Sequence, residues 1–187
     1  MNPSGIKIIR AGEGDWENAM SLAWLVFSEF NAPVYGEEGS RSFLDFISGN
    51  SLKQMFLHGK YPVFLAREDE QDDSSLPAGM LSLRENNHIS LLFVDKRYQG
   101  KGIGKSLIER AAAFVDISSK EARSDRNKPE DYRYMRALNG RLTVNAAPAA
   151  VSFYRSCGFF ETGETAQNDG ISYVPMMRPV KRGYSSF

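Results

Sequence analysis

The sequence predicts one α/β domain in which a sheet is flanked by amphipathic helices. Its 187 residues are the length of an ordinary single domain, and 42% hydrophobic with 25% charged residues is a typical globular composition. Apolar residues recur at helical spacing in some segments and at strand spacing in others. Three strand patterns in the middle of the chain are joined by short links, which favours an antiparallel meander.

The N-terminal third is predicted to be mostly helical. Ile6–Arg10 has the pattern of a short strand, and Glu13–Phe30 carries its apolar residues along one helical face. Two further helical stretches include Phe43–Ile47 and Leu52–Phe56. The strands of the meander are predicted at Tyr61–Ala66, Ala78–Leu83 and His88–Val94.

The second half of the chain alternates helices and strands around a polar segment. The predicted elements are a helix at Gly102–Val115, a strand at Arg141–Asn145, a helix at Pro148–Ser156, and strands at Gly158–Glu161 and Ile171–Met177. Residues 118–141 contain seven bases and four acids and show no clear period. We therefore expect a charged surface insertion at 118–138 within a single domain spanning 1–187.

The most informative segment is Leu91–Ile108, where an apolar strand enters a glycine-rich loop that opens directly into an amphipathic helix. Loop N–H groups and the unpaired N–H groups of the helix start converge there, and the helix dipole favours an anion. The segment therefore predicts a phosphate-binding turn. The alternative is a glycine-containing helix start that binds no ligand.

Two well-known phosphate-binding motifs do not fit this loop. A nucleotide-triphosphate loop needs a glycine five positions before Gly104, and Gln99 stands there. A dinucleotide fingerprint needs a third glycine, but Lys105 or Leu107 occupies that position, depending on the starting glycine. The loop instead has the pattern Gln-x-x-Gly-x-Gly, formed by Gln99, Gly102 and Gly104.

This pattern resembles the acyl-coenzyme A loop of the GNAT N-acetyltransferase superfamily. Val144–Phe159, which ends in Phe-Tyr-x-x-x-Gly-Phe, resembles the C-terminal signature of that superfamily, and the predicted order of elements is also the same. The resemblance implies the GNAT fold, a mixed, mostly antiparallel sheet of about seven strands that is flanked by helices and splayed at the acetyl-CoA site. Acetyl-CoA is the implied cosubstrate.

The resemblance also implies which residues contact the cofactor. A β-bulge in the strand before the loop would leave a backbone N–H near Val94 facing the thioester oxygen. Asn145 would face the same gap, although asparagine is equally common at strand ends. The implied cofactor-binding residues are Val94, Gln99, Gly100, Lys101, Gly102, Ile103, Gly104, Lys105 and Asn145.

Two catalytic residues are implied as well. Tyr154 occupies the position of the tyrosine that protonates the coenzyme A thiolate; the alternative is a tyrosine that packs on the sheet. His88 lies eleven residues before Gln99, the offset of the catalytic glutamate in histone acetyltransferases of this superfamily. Strand alternation would place it on one face with Ser90, Leu92 and Val94, and Glu85 is the next candidate base. His88 is otherwise an exposed histidine at a strand start, and Cys157 is expected to be a small buried residue.

The implied activity is acetyl transfer to a primary amine by direct attack in a ternary complex. The alternative is a catalytically silent CoA-binding sensor or subunit. The acceptor would be a small-molecule or peptide amine, and a surplus of acids in residues 1–50, seven against three bases, would suit a cation. The formal net charge is zero, which favours neither nucleic acid nor an anionic membrane as a partner, and a homodimer remains open.

The expected location is cytoplasmic, because the first residues lack the apolar core of a signal peptide. No metal site is expected, since two histidines and one cysteine do not form a conventional zinc cluster.

Overall fold

The structure is a computed structural model that describes residues 5–69, 75–124, 140–168 and 171–180. Its helices and strands are β1 (Ile6–Arg10), α1 (Trp16–Phe30), α2 (Ala32–Ser48), α3 (Asn50–Leu57), β2 (Val63–Glu68), β3 (Gly79–Arg84), β4 (His88–Val94), α4 (Ile103–Ser124), β5 (Arg141–Ala146), α5 (Val151–Ser156), β6 (Phe160–Glu161), β7 (Ala166–Asn168) and β8 (Ile171–Pro179). Within these residues, no helix combines the length and the apolar character needed to cross a membrane.

The predicted mixed, mostly antiparallel sheet is confirmed. Its strands lie in the order β1-β2-β3-β4-β5-β8-β6, and β7 pairs with residues 171–173 of β8. The pairing of β4 with β5 is parallel, while the other strand pairs in the described residues are antiparallel. Among these residues the sheet has eight strands, whereas about seven were expected. The additional strand is β7, which is three residues long and lies in a polar segment without a strand pattern.

The sheet opens between β4 and β5. The two strands pair at His88 with Thr143 and at Ile89 with Val144, and their pairing goes no further. Beyond this point β4 continues along β3 as far as Val94, while β5 continues along β8. The two strands therefore separate toward their carboxyl ends, as the GNAT resemblance implies.

A β-bulge in β4 lies at Ser90. Ser82 pairs with Leu91 and Leu83 pairs with Ile89, so Ser90 is the extra residue. Because of it, Leu91 packs with the α1 side of the sheet while Leu92 and Val94 pack with the α4 side. The expectation that strict alternation places His88, Ser90, Leu92 and Val94 on one face is therefore wrong.

Two apolar clusters hold the layers together, one on each face of the sheet. Helix α4 covers one face with buried side chains such as Leu107, Ile108 and Ala111. Helices α1 to α3 cover the other face, where Trp16 and Phe56 are among the buried residues. The opening between β4 and β5 thus lies between the helix layer of α4 and the helix layer of α1 to α3, and the packing of these two layers holds both strands in place.

Some element boundaries differ from the prediction. Helix α2 begins at Ala32 and is interrupted at Gly36, whose φ of 68° is left-handed and readily adopted by glycine. Helix α4 continues to Ser124, so the first seven residues of the insertion expected at 118–138 are helical. Residues 125–138 lie outside the described residues, and the insertion stays a prediction there.

Candidate active site

The loop between β4 and α4 takes its shape from two left-handed glycines. A 3₁₀ turn at Lys96–Tyr98 follows β4, and the backbone φ is then 74° at Gly100 and 81° at Gly102. L-residues with a side chain rarely adopt this conformation, so glycine is required at both positions. The chain can therefore turn sharply from the strand into the helix.

The start of α4 presents backbone donors at this turn. The helical hydrogen bond from the Ser106 N–H to the Gly102 carbonyl is 3.0 Å long. The N–H groups of Ile103, Gly104 and Lys105 lie before that bond, in the first turn, where the helix supplies no acceptor. Together with the positive end of the helix dipole, they form a cradle for an anion.

The third glycine of the loop has a different role. A Cβ on Gly104 would lie 3.0 Å from Cζ of Phe153, which belongs to α5. Glycine at this position therefore lets the Phe153 ring pack directly on the first turn of α4. The contact connects the loop to the C-terminal signature segment, which is 49 residues later in the chain.

Asp95 supports the loop, a role that the sequence analysis missed. Its carboxylate accepts hydrogen bonds from the Arg97 backbone N–H at 2.9 Å and from Nε of Arg97 at 3.0 Å. These hydrogen bonds and the charge of Arg97 hold the pKa of Asp95 below its ordinary value, although burial opposes the shift. An Asp directly after a strand and before a tight turn is the signal that could have revealed it.

The side chain of Gln99 ties the loop back to β4. Its Nε2 donates a hydrogen bond of 3.0 Å to the carbonyl of Val94. The N–H of Asp95 donates to Ala78 on the β3 side, so the N–H of the preceding residue, Val94, points the opposite way. That direction is toward the opening between β4 and β5.

A cavity of 520 Å³ lies beside the glycine loop, and we call it the loop cavity. Its walls come from the end of β4, the loop, the first turn of α4, and α5. The lining residues are Leu92, Val94, Tyr98, Gln99, Gly100, Gly102, Ile103, Gly104, Lys105, Ala150, Phe153, Tyr154, Ser156 and Cys157. Lys105 thus brings a positive charge into the wall, while the Lys101 ammonium lies 5.1 Å from the ring centroid of Tyr98.

A second cavity of 720 Å³, the aromatic cavity, lies on the side of α1 and α2. It is lined by Val26, Phe27, Phe30, Asn31, Tyr35, Phe43, Ser90, Leu91, Leu92, Phe93, Val94, Gln99, Asn145, Ala146, Ala147, Ala149, Ala150, Phe153, Tyr154, Ile171, Ser172 and Tyr173. Val94, Gln99, Phe153 and Tyr154 are among the residues that line both cavities. The two cavities therefore meet at the opening of the sheet.

Tyr154 lies at this junction, in helix α5. Its side chain is buried, and burial raises its pKa far above the ordinary value, with a further contribution from the neighbouring Cys157. The phenol therefore stays protonated at neutral pH. Cys157 is buried as expected, and burial also raises the pKa of its thiol.

The family follows from comparison with known domains. The profile of the Acetyltransferase (GNAT) domain matches residues 31–179, which is most of the chain. The chain belongs to the GNAT acetyltransferase family. It is therefore an acyltransferase, and its open sheet is the GNAT fold. A comparison with curated protein sequences finds no match.

Solved GNAT structures have the same fold at low sequence identity. A GCN5-related N-acetyltransferase from Rhodopseudomonas palustris is 20% identical with a TM-score of 0.67, and the match covers 96% of this chain and 98% of that one. The PaiA N-acetyltransferase from Thermoplasma acidophilum, in complex with coenzyme A, is 17% identical with a TM-score of 0.60, and the coverage is 93% and 98%. The spermidine N-acetyltransferase from Vibrio cholerae, in complex with CoA and spermine, is 18% identical with a TM-score of 0.54, and the coverage is 95% and 96%.

The structure places His88 away from the junction of this GNAT site. It begins β4, six residues and about 20 Å of extended strand before Val94, and it does not line either cavity. Its Nδ1 lies 2.9 Å from the hydroxyl oxygen of Thr143. Burial lowers the pKa of His88, and the charge of Arg84 adds to this. Glu85 lies in the β3–β4 turn with a φ of 53°, farther still from the junction.

The acids of the N-terminal helices do not line the aromatic cavity. Asp15 pairs with Arg67 at 2.7 Å, Glu17 with Lys53 at 2.6 Å, and Glu29 with Lys96 at 2.5 Å. In residues 5–69, 75–124, 140–168 and 171–180, the polar side chains that line this cavity are neutral. The acidic surplus thus belongs to the surface and to ion pairs in this part of the chain.

A chain of hydroxyl groups behind the aromatic cavity was also missed. The Ser82 hydroxyl donates to the Tyr61 hydroxyl at 2.8 Å, and Tyr61 donates to Ser90 at 2.9 Å. Ser90 is the bulge residue and lines the cavity. No sequence signal connects these residues, because the contact depends on strand register.

Proposed function

We propose that this GNAT acyltransferase transfers an acetyl group from acetyl-CoA to a primary amine by direct attack in a ternary complex. The observation that carries the proposal is the meeting of the loop cavity and the aromatic cavity at Val94 and Tyr154. Two substrates bound from opposite sides would have their reacting groups in contact at this junction. Holding two reactants in this way removes much of the entropic barrier.

The loop cavity fits the coenzyme because its donors match a pyrophosphate. The N–H groups of the first turn of α4 form the cradle, and Lys105 in the same wall adds positive charge. Gly100 and Gly102 leave their backbone open to close approach, because a Cβ built there meets nothing within 4 Å. Bound acetyl-CoA supplies the thioester whose carbonyl carbon receives the amine.

The chain itself would stabilise the developing charge and the leaving group. The N–H of Val94 points into the opening, where a thioester oxygen can accept its hydrogen bond. One preorganised donor of this kind contributes about 3 kcal/mol to the stability of the transition state. Tyr154 would then hold a proton for the departing thiolate, a role that its raised pKa permits at neutral pH.

Asn145 and His88 are the residues proposed to act on the acceptor amine. Asn145 lines the aromatic cavity and would orient the pantetheine arm or the amine. His88 stays a proposal as the base. About 20 Å of extended strand separates it from Val94, so the amine proton would reach it only along a relay of several water molecules. A small-molecule acceptor is supported by the neighbour from Vibrio cholerae, whose structure contains spermine.

The competing proposal is a catalytically silent CoA-binding sensor or subunit. Thermal unfolding with acetyl-CoA, CoA, ATP and NAD tests the cofactor, and we expect stabilisation by the first two alone. Release of free thiol against a panel of amines then tests transfer. Stabilisation by CoA without thiol release from any amine would favour the silent module.

A further inference from the structure

We propose that the acceptor is a primary amine on an aromatic or similarly flat apolar body, with no second ammonium group. This inference rests on the proposed acetyl transfer and names its acceptor class. It follows from two properties of the aromatic cavity, namely the ring-lined wall and the neutral polar side chains.

A stack of rings forms the wall on the side of α1 and α2. The centroid of the Phe27 ring lies 4.0 Å from that of the Phe43 ring, at an interplanar angle of 9°. It lies 6.0 Å from the centroid of the Tyr35 ring, at an interplanar angle of 14°. The ring of Phe93, on β4, meets Phe43 edge-on at 5.7 Å. All four rings line the cavity. Such a wall favours a flat apolar group, since offset and edge contacts between rings add to the gain from burial.

The opposite wall is aromatic as well. Phe153 and Tyr154 come from α5, and Tyr173 comes from β8. Their elements lie across the sheet opening from α1. An acceptor whose amine reaches Val94 would therefore have its body between two ring-bearing walls.

The polar side chains of the cavity are neutral in the part of the chain that the structure describes. They include Asn31, Ser90, Asn145 and Ser172. A second ammonium would lose part of its hydration there without gaining a carboxylate partner, and contact with a ring face would offset only part of that cost. Ser90, tied to Tyr61 at 2.9 Å, offers a hydroxyl to a neutral polar substituent instead.

The charged side chains near Phe30 also disfavour an acceptor with a second ammonium group. Lys96 lies 5.7 Å from the ring centroid of Phe30, which lines the cavity. Its ammonium also forms an ion pair with the carboxylate of Glu29, at 2.5 Å. A polyamine entering past Phe30 would meet this cation and find the nearby acid already paired.

Thiol release tests the inference with matched amines. We expect kcat/KM for 2-phenylethylamine to exceed that for spermidine at least about tenfold, and hexylamine to fall between them. Equal or faster reaction of spermidine would overturn the inference and leave acetyl transfer intact. Titration of both amines into the CoA-bound protein gives a readout independent of turnover, in which spermidine binding tighter than 2-phenylethylamine would also overturn it.

A variant series at Tyr35 separates the ring from the apolar volume. Tyr35→Leu should lower kcat/KM for 2-phenylethylamine about threefold to tenfold and lower that for hexylamine by less, while Tyr35→Phe should keep the wild-type value for both amines. Leu25→Ala is the control, because Leu25 is exposed on α1 and does not line the cavity. Equal losses for both amines in Tyr35→Leu would contradict a ring-specific wall.

Discussion

The side chain of Gln99 donates a 3.0 Å hydrogen bond to the backbone carbonyl of Val94. Both residues line the loop cavity and the aromatic cavity, so one contact fixes the loop against the strand at their junction. The side-chain amide of Gln99 therefore holds the loop in position against β4. The GNAT resemblance identified Gln99 by its place in the motif, and the structure adds this contact.

We expect Gln99→Ala to weaken acetyl-CoA binding about twofold to tenfold, the worth of one ordinary hydrogen bond. The loop would keep its glycines but lose its tie to Val94. Isothermal titration with acetyl-CoA measures the effect, and Lys53→Ala, at a surface ion pair on α3, is the control. An unchanged dissociation constant would show that the contact does not position the loop.

Tyr154→Phe tests the proton donor. We expect kcat to fall about 10²-fold to 10⁴-fold, with little change in the KM for either substrate. Since burial raises the pKa of Tyr154, its ionisation should not produce an alkaline limb in the wild-type pH–rate profile up to about pH 10. Unchanged turnover at saturating substrates would remove Tyr154 from the mechanism. Ser152→Ala is the control within α5, because Ser152 is exposed and lines neither cavity.

The glycine loop makes a second test possible, because two of its glycines have different roles. Gly100→Ala should lower the free energy of unfolding by about 1–2 kcal/mol, because a φ of 74° strains any residue with a Cβ. No neighbour contributes to this cost, since the space around Gly100 is open. Gly104→Ala would place its Cβ 3.0 Å from Cζ of Phe153, and this contact should offset the gain of about 1 kcal/mol that alanine otherwise brings to a helix. Phe153→Leu should relieve the second cost and not the first. A double-mutant cycle by chemical unfolding measures the coupling, and no coupling at Gly104 would contradict the contact.

Local features of this site were predictable from the sequence. The strand, the glycine loop and the helix start occupy consecutive residues, so the anion cradle follows from the letters between Gln99 and Lys105 alone. The family resemblance then implied a mixed, mostly antiparallel sheet that opens at the acetyl-CoA site. The place of Tyr154 at that opening came from the resemblance and not from any local pattern.

The features that could not be predicted depend on register and long-range packing. The bulge at Ser90 exists only relative to β3, and it reverses the face expected for Leu92 and Val94. The Tyr61 hydroxyl reaches Ser90 across 29 residues of sequence. Alternation within one strand cannot reveal either feature, because each one depends on a partner strand.

His88→Gln tests the environment of the histidine through the pH dependence of stability. Burial and the charge of Arg84 lower the pKa of His88 in the folded protein, with Glu85 opposing. Between that lowered pKa and the unfolded value of about 6.5, the unfolded chain binds more protons. The contribution of His88 to stability is therefore present above about pH 6.5 and is lost as the pH falls toward the folded pKa.

We expect the free energy of unfolding of the wild type to decrease from about pH 6.5 to about pH 5 more steeply than that of His88→Gln. Urea unfolding at several pH values measures both slopes. His58→Gln is the matched control, because it removes the other histidine of the sequence, which is exposed directly after α3. A wild type whose His88-dependent stability increases on acidification would mean that a carboxylate pairs with the imidazolium, which would reverse the sign of the shift.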